Sequence, residues 1–158
     1  MYHESYRDLP ILTPEDLTLA ELLLHHVSLP VRDVDKSTKF YEALFGLSRL
    51  PRPNFGIDGV WLSCGNGQIH LVANPETGTF RDEKHIDIAD VHFAFRTDDF
   101  EAMVQKLAGH GFSDALPQDD PKWILVIRDG LAGFPQLYLL DPDRNTIEVN
   151  AAPIKLAH

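Results

Sequence analysis

The sequence predicts an α+β protein made of two copies of one β-α-β-β-β unit. Three observations carry that expectation. HVSLPVRDVDKSTKFYEALFG, from His26, and HFAFRTDDFEAMVQKLAGHG, from His92, both pass from a His-led strand through an acidic turn into an amphipathic helix ending at glycine, and one gap aligns them. GNGQIHLVANP, from Gly65, lies over DRNTIEVNAAP, from Asp143, with no gap and with Ile, Ala and Pro in common. Between helix and last strand each half holds more strand-like sequence, LSRLPRPNF and GVWLSC in the first, WILVIRD and PQLYLLD in the second. A repeat of this length marks one supersecondary unit used twice.

The elements follow in order. Residues 1–21 lie outside the repeat and are expected to form an added arm. Module 1 spans 22–73, a linker rich in turn formers and charge spans 74–88, and module 2 spans 89–152. Helices are expected near 34–45 and 98–110. Asp33 and Asp35, or Thr97 and Asp98, can accept from the free N–H groups at their starts. Phe40, Leu44 and Phe45, and Phe100, Met103, Val104 and Leu107, recur at helical spacing and give each helix an apolar face. Gly46 and Gly111 supply the permissive backbone that ends a helix.

Composition excludes several functions. The 158 residues are 44% hydrophobic and 24% charged, as in an ordinary globular protein. A net charge of −10 argues against nucleic acid or an anionic membrane as partner. The acids fall in scattered pairs (Asp98 and Asp99, Asp119 and Asp120, Asp141 with Asp143), the pattern of a solvated acidic surface. A single cysteine, Cys64, excludes an internal disulfide and a Cys-based zinc site. The N-terminus carries acids and prolines where a secretory signal has a basic start and an apolar run, so a cytoplasmic protein is expected.

The chemistry is read from strand faces. Side chains alternate along a strand. Val27, Leu29 and Val31 should face the first helix, which leaves His26 and Ser28 opposite. Val91, Phe93 and Phe95 leave His92, Ala94 and Arg96 opposite. In the last strand of each half, Ile69 and Leu71 oppose Gln68 and His70, and Ile147 and Val149 oppose Thr146, Glu148 and Asn150. Each of the four strands therefore turns one imidazole or carboxylate away from its helix. The repeat pairs His26 with His92 and His70 with Glu148, and a pseudo-two-fold axis would bring all four together. A lone strand histidine is usually a core or surface residue, but four candidates at symmetry-matched positions are a different matter. Three imidazoles and one carboxylate suit one divalent ion of Zn, Ni, Mn, Fe or Co. Ser28, Gln68, Arg96, Thr146 and Asn150 share that face as substrate-binding candidates, and Trp61 and Phe55 as pocket walls. His25 falls on the other face, as a structural or surface residue, and Arg128 is expected at the surface.

The segments LLLHHVSLPVRDVDKSTKFYEALFGL, GVWLSCGNGQIHLVANP, DVHFAFRTDDFEAMVQKLAGHGF and LYLLDPDRNTIEVN resemble the vicinal oxygen chelate superfamily, over roughly residues 22–151. That superfamily includes glyoxalase I, fosfomycin-modifying thiol transferases, extradiol dioxygenases and bleomycin-resistance proteins. The resemblance implies a glyoxalase-like cupped sheet barrel, and family ligands map onto His26, His70, His92 and Glu148. It also implies a small-molecule substrate chelated through neighbouring oxygens, lyase- or isomerase-type chemistry, a homodimer, and Glu148 as ligand or base. The sequence departs from glyoxalase I in having His70 where a glutamate is common. A two-His, one-Glu dioxygenase or thiol transferase, and a metal-free drug-binding protein, are the alternatives the same resemblance carries.

Overall fold

A computed structural model describes residues 23–80 and 82–153, so the N-terminal arm expected over residues 1–21 lies outside the described residues. The chain order is β1 (His26–Val31), α1 (Val34–Phe45), β2 (Ser48–Leu50), β3 (Gly59–Cys64), β4 (Gly67–Ala73), β5 (His92–Arg96), α2 (Phe100–Gly109), β6 (Leu125–Ile127), β7 (Gln136–Leu140) and β8 (Thr146–Asn150). This is β-α-β-β-β twice. The strands form two four-stranded sheets, ordered β1-β4-β3-β2 and β5-β8-β7-β6. In each sheet the first and last strands of the module run parallel, and the rest is antiparallel.

Local chemistry explains the boundaries. Asp33 caps α1 by accepting from the Lys36 N–H at 2.9 Å, a contact worth about 1 kcal/mol. Gly46, at φ +67°, ends the helix and returns its N–H to the Glu42 carbonyl. At α2 the cap is Asp99, which accepts from the Ala102 N–H at 2.9 Å, so the helix begins later than expected and neither Thr97 nor Asp98 caps it. The Thr97 hydroxyl instead accepts from the Asp99 N–H, which orients the cap. Strand β2 is short because Pro51 and Pro53 follow it without N–H groups to pair.

The alternation expected of the strands is observed. Leu29, Val31, Ile69, Leu71 and Leu62 from the first sheet, and Leu137, Leu139, Ile147 and Val149 from the second, enter one core with Tyr41, Leu44, Phe100 and Leu107 of the helices. Each fully buried aliphatic side chain contributes roughly 1.5–3 kcal/mol. A polar knot joins the halves. The Tyr41 hydroxyl donates to Asp141 at 2.8 Å, while the Ser37 hydroxyl and the Arg32 N–H donate to Asp143, each at 3.1 Å. Asp141 also accepts from the Asp143 and Asn145 N–H groups and the Asn145 amide. Asp141 and Asp143 are therefore buried, contrary to the solvated surface expected of them, because the Asp141 carboxylate closes the turn and both carboxylates accept from a hydroxyl of α1. Among the described residues no helix is long and apolar enough to cross a membrane.

Candidate metal centre

On the first sheet, the β1–β4 register sets Ser28 beside His70, and the β3–β4 register sets Trp61 beside His70 from the other side. The three side chains point to one face. The His70 ring stacks on His26, with centroids 4.1 Å apart and planes 11° from parallel, and on Trp61 at 4.5 Å and 12°. Gln68 Oε1 lies 2.8 Å from His70 Nε2 and holds the ring edge. Burial lowers the His70 pKa, and the neighbouring His26, His25 and Arg52 lower it further, so the imidazole stays neutral and able to bind a cation.

On the second sheet, His92 Nε2 lies 3.3 Å from Glu148 Oε2. The other ring nitrogen, Nδ1, donates to the Asp90 carbonyl at 2.8 Å. Glu148 is buried, and its second oxygen, Oε1, accepts from the amides of Gln136 at 2.9 Å and Asn150 at 2.7 Å. Burial works to raise the Glu148 carboxyl. The hydrogen bonds from Gln136, Asn150 and Tyr138, together with nearby His92, outweigh it and hold the pKa below the usual carboxylate value. Glu148 is an anion with one oxygen committed and one turned to His92.

The four expected ligands thus form two pairs, His26 with His70 and His92 with Glu148. They do not form one group: among the described residues no three His, Cys, Asp or Glu side chains lie close enough to share an ion. The reason is topological. Each pair belongs to its own sheet, β1 and β5 are the unpaired edges of those sheets, and no hydrogen-bonded ladder joins them. Between those edges lies a cavity of about 810 Å³ lined by His26, Ser28, Gln68, His92, Ala94 and Thr146, among others.

The remaining candidates divide. Gln68 touches His70, Asn150 touches Glu148, Trp61 stacks on His70, and Ser28 lines the cavity. Arg96 is diverted, since its Nε donates to the Ala152 carbonyl and its guanidinium pairs with Asp98 at 2.7 Å. Arg128 is exposed and pairs with Glu101. His25 is not apart from the site: its Nδ1 lies 2.9 Å from His26 Nδ1, because the residue precedes the strand and escapes its alternation. Sequence reasoning missed Gln136 and Tyr138, which sit in an apolar run. The hairpin register gives them away, for the turn after β7 sets Tyr138 opposite Glu148 and Gln136 opposite Asn150.

The profile of the Glyoxalase/Bleomycin resistance protein/Dioxygenase superfamily matches residues 23–149. The chain is 28% identical over 127 residues to "Glyoxylase I 4" of Arabidopsis thaliana, covering 80% of this chain and 68% of that protein. It is 25% identical over 131 residues to "Glutathione transferase FosA" of Serratia marcescens, covering 83% and 82%. Among solved structures, a glyoxalase family protein of Bacillus anthracis superposes with a TM-score of 0.63 at 20% identity, over 84% of this chain and 97% of that one. Two β-α-β-β-β modules, their matched polar faces and a profile match across both modules lead to one conclusion: the chain belongs to the Glyoxalase/Bleomycin resistance protein/Dioxygenase superfamily.

Proposed function

We propose that this protein is a cytoplasmic, glyoxalase-like enzyme that depends on one divalent ion held by His26, His70, His92 and Glu148. Its substrate is a small molecule offering two neighbouring oxygens. One observation carries the reading. With Nδ1 of His92 committed as donor to a carbonyl, Nε2 is the ring atom that faces the carboxylate oxygen of Glu148, at 3.3 Å, and a nitrogen and an oxygen so placed would hold a divalent cation between them. The donor set, three imidazoles and one carboxylate, suits a first-row transition metal. When bound, such an ion acts as a Lewis acid on substrate oxygens. The chain's own residues set the stage: Gln68 and Trp61 fix His70, and Gln136 and Asn150 hold Glu148 ionised.

Because a single chain keeps the pairs apart, we propose that the first sheet of one copy meets the second sheet of another in a symmetric dimer. The outer edges of strands β1 and β5 carry no neighbouring strand among the described residues, and Leu24 and Val91, beside their starts, are 78% and 80% exposed. A complementation experiment tests ion and dimer together. One variant carries His26→Ala and His70→Ala, the other His92→Ala and Glu148→Gln. Neither should bind Zn²⁺, Ni²⁺ or Co²⁺ alone, while an unfolded and refolded mixture should recover one site per heterodimer. Recovery would show a site built across chains. If wild-type protein binds none of these ions, the enzyme reading falls and a metal-free small-molecule binder takes its place.

A further inference from the structure

Deepening that reading, we propose that Arg52 is an anion-binding subsite, and that the ligand of this face is an organic anion whose apolar body lies along Phe55 and Trp61. The case begins with an accounting of arginines. Arg32 pairs with Asp82 and Asp143, Arg49 with Glu42, Arg96 with Asp98 and Arg128 with Glu101, and Arg144 donates to the Lys84 carbonyl. Among the described residues Arg52 alone has no acceptor, although the chain carries ten more negative than positive charges. Its Nε is sealed from solvent and makes no hydrogen bond. A cation left so in an acidic protein awaits a partner from outside.

Position says what kind of partner. Leu50 of β2 pairs with Trp61, so it lies on the ligand face, and Arg52 follows two residues later. The guanidinium carbon stands 4.9 Å from the centre of the Phe55 ring. Phe55 lies 5.8 Å from Trp61, Trp61 stacks on His70 at 4.5 Å, and His70 stacks on His26 at 4.1 Å. A row of rings therefore runs from the metal-ligand candidates to the unpaired guanidinium. Phe55 is 57% exposed, a large apolar surface for a loop that nothing else among the described residues covers. An anion bound by the planar fork of Arg52 would rest its apolar part on this row.

Calorimetric titration of the metal-free full chain tests the subsite apart from the ion. The probes are 4-phenylbutyrate, its neutral amide, and phenylphosphonate, against wild type, Arg52→Gln, Arg52→Lys and Phe55→Ala. The acid should bind wild type at least about tenfold more tightly than the amide, and Arg52→Gln should erase that difference. Arg52→Lys should keep part of it, and Phe55→Ala should weaken acid and amide alike. The phosphonate should likewise lose affinity in Arg52→Gln, and a phosphonate affinity that Arg52→Gln leaves unchanged would overturn the subsite. Equal affinity of wild type and Arg52→Gln for the acid, or no binding of any probe to wild type, would overturn the subsite. Thermal melts of each variant separate these results from misfolding. Since no metal is present, these outcomes leave the metal reading to the complementation experiment.

Discussion

His92 Nε2 and Glu148 Oε2 face each other at 3.3 Å while the remaining polar atom of each side chain is already engaged, His92 Nδ1 by the Asp90 carbonyl and Glu148 Oε1 by two amides. The pair therefore presents one nitrogen and one oxygen to each other, the two atoms that would hold a cation. Glu148→Gln keeps the size but replaces the anion, so it should weaken Co²⁺ or Zn²⁺ binding by more than about 100-fold, beyond the range of losses beyond the ligand shell. Metal content must be measured beside activity, since loss of the ion would itself stop turnover. Full activity in metal-stripped protein would sink the enzyme mechanism.

Gln136 is the second test of the same arrangement. Its amide donates both to Glu148 and to the Tyr138 hydroxyl, each at 2.9 Å, so it fixes which carboxylate oxygen remains free. Gln136→Met removes the donor and keeps the length. Metal affinity should fall about 10- to 100-fold, while the melting temperature of the metal-free protein should scarcely move. A large loss of stability with unchanged affinity would make Gln136 a structural residue instead.

The difference between what was readable in the sequence and what was not follows these same residues. The faces of His26, His70, His92 and Glu148 were legible because alternation in a strand assigns each residue a face once its apolar neighbours are known. The repeat match of β1 with β5 and β4 with β8 set His26 against His92 and His70 against Glu148, whereas the structure pairs His26 with His70 and His92 with Glu148 within sheets. The distance between the pairs was not legible, because it depends on how two sheets meet, and no side-chain pattern records that. Gln136 and Tyr138 were hidden in an apolar run, and Asp141 and Asp143 read as surface acids until Tyr41, Ser37 and Arg32 appeared as their donors. Arg52 was hidden in LSRLPRPNF, read as strand-like, whereas the strand ends at Leu50 and the prolines on either side of Arg52 leave it outside the ladder.

The knot between the halves gives a stability prediction. The Tyr41 hydroxyl is fully buried and donates to Asp141, which burial pushes up in pKa while its hydrogen bonds pull it down. Tyr41→Phe leaves the ring packing intact and strips one donor from a buried carboxyl. Urea denaturation should show a loss of about 1.5–3 kcal/mol, the range for a hydrogen bond to a charged group. A change below about 0.5 kcal/mol would mean that Asn145 and the turn amides satisfy Asp141 without Tyr41.

Acidification should act on the first sheet through His70. Burial first, then His26, His25 and Arg52, depress its folded-state pKa below the ordinary imidazole value of about 6.5. The unfolded chain therefore takes up a proton here before the folded chain does. The stabilisation is present above about pH 6.5 and is lost as pH falls from there toward the folded-state pKa. Arg52→Gln removes one of the charges opposing protonation, so it should raise the His70 pKa and narrow that window. Following the His70 ring protons by NMR across pH 4–8 in both proteins checks the direction. A His70 that titrates at or above the ordinary value in wild type would contradict the stacked, partly desolvated environment between His26 and Trp61.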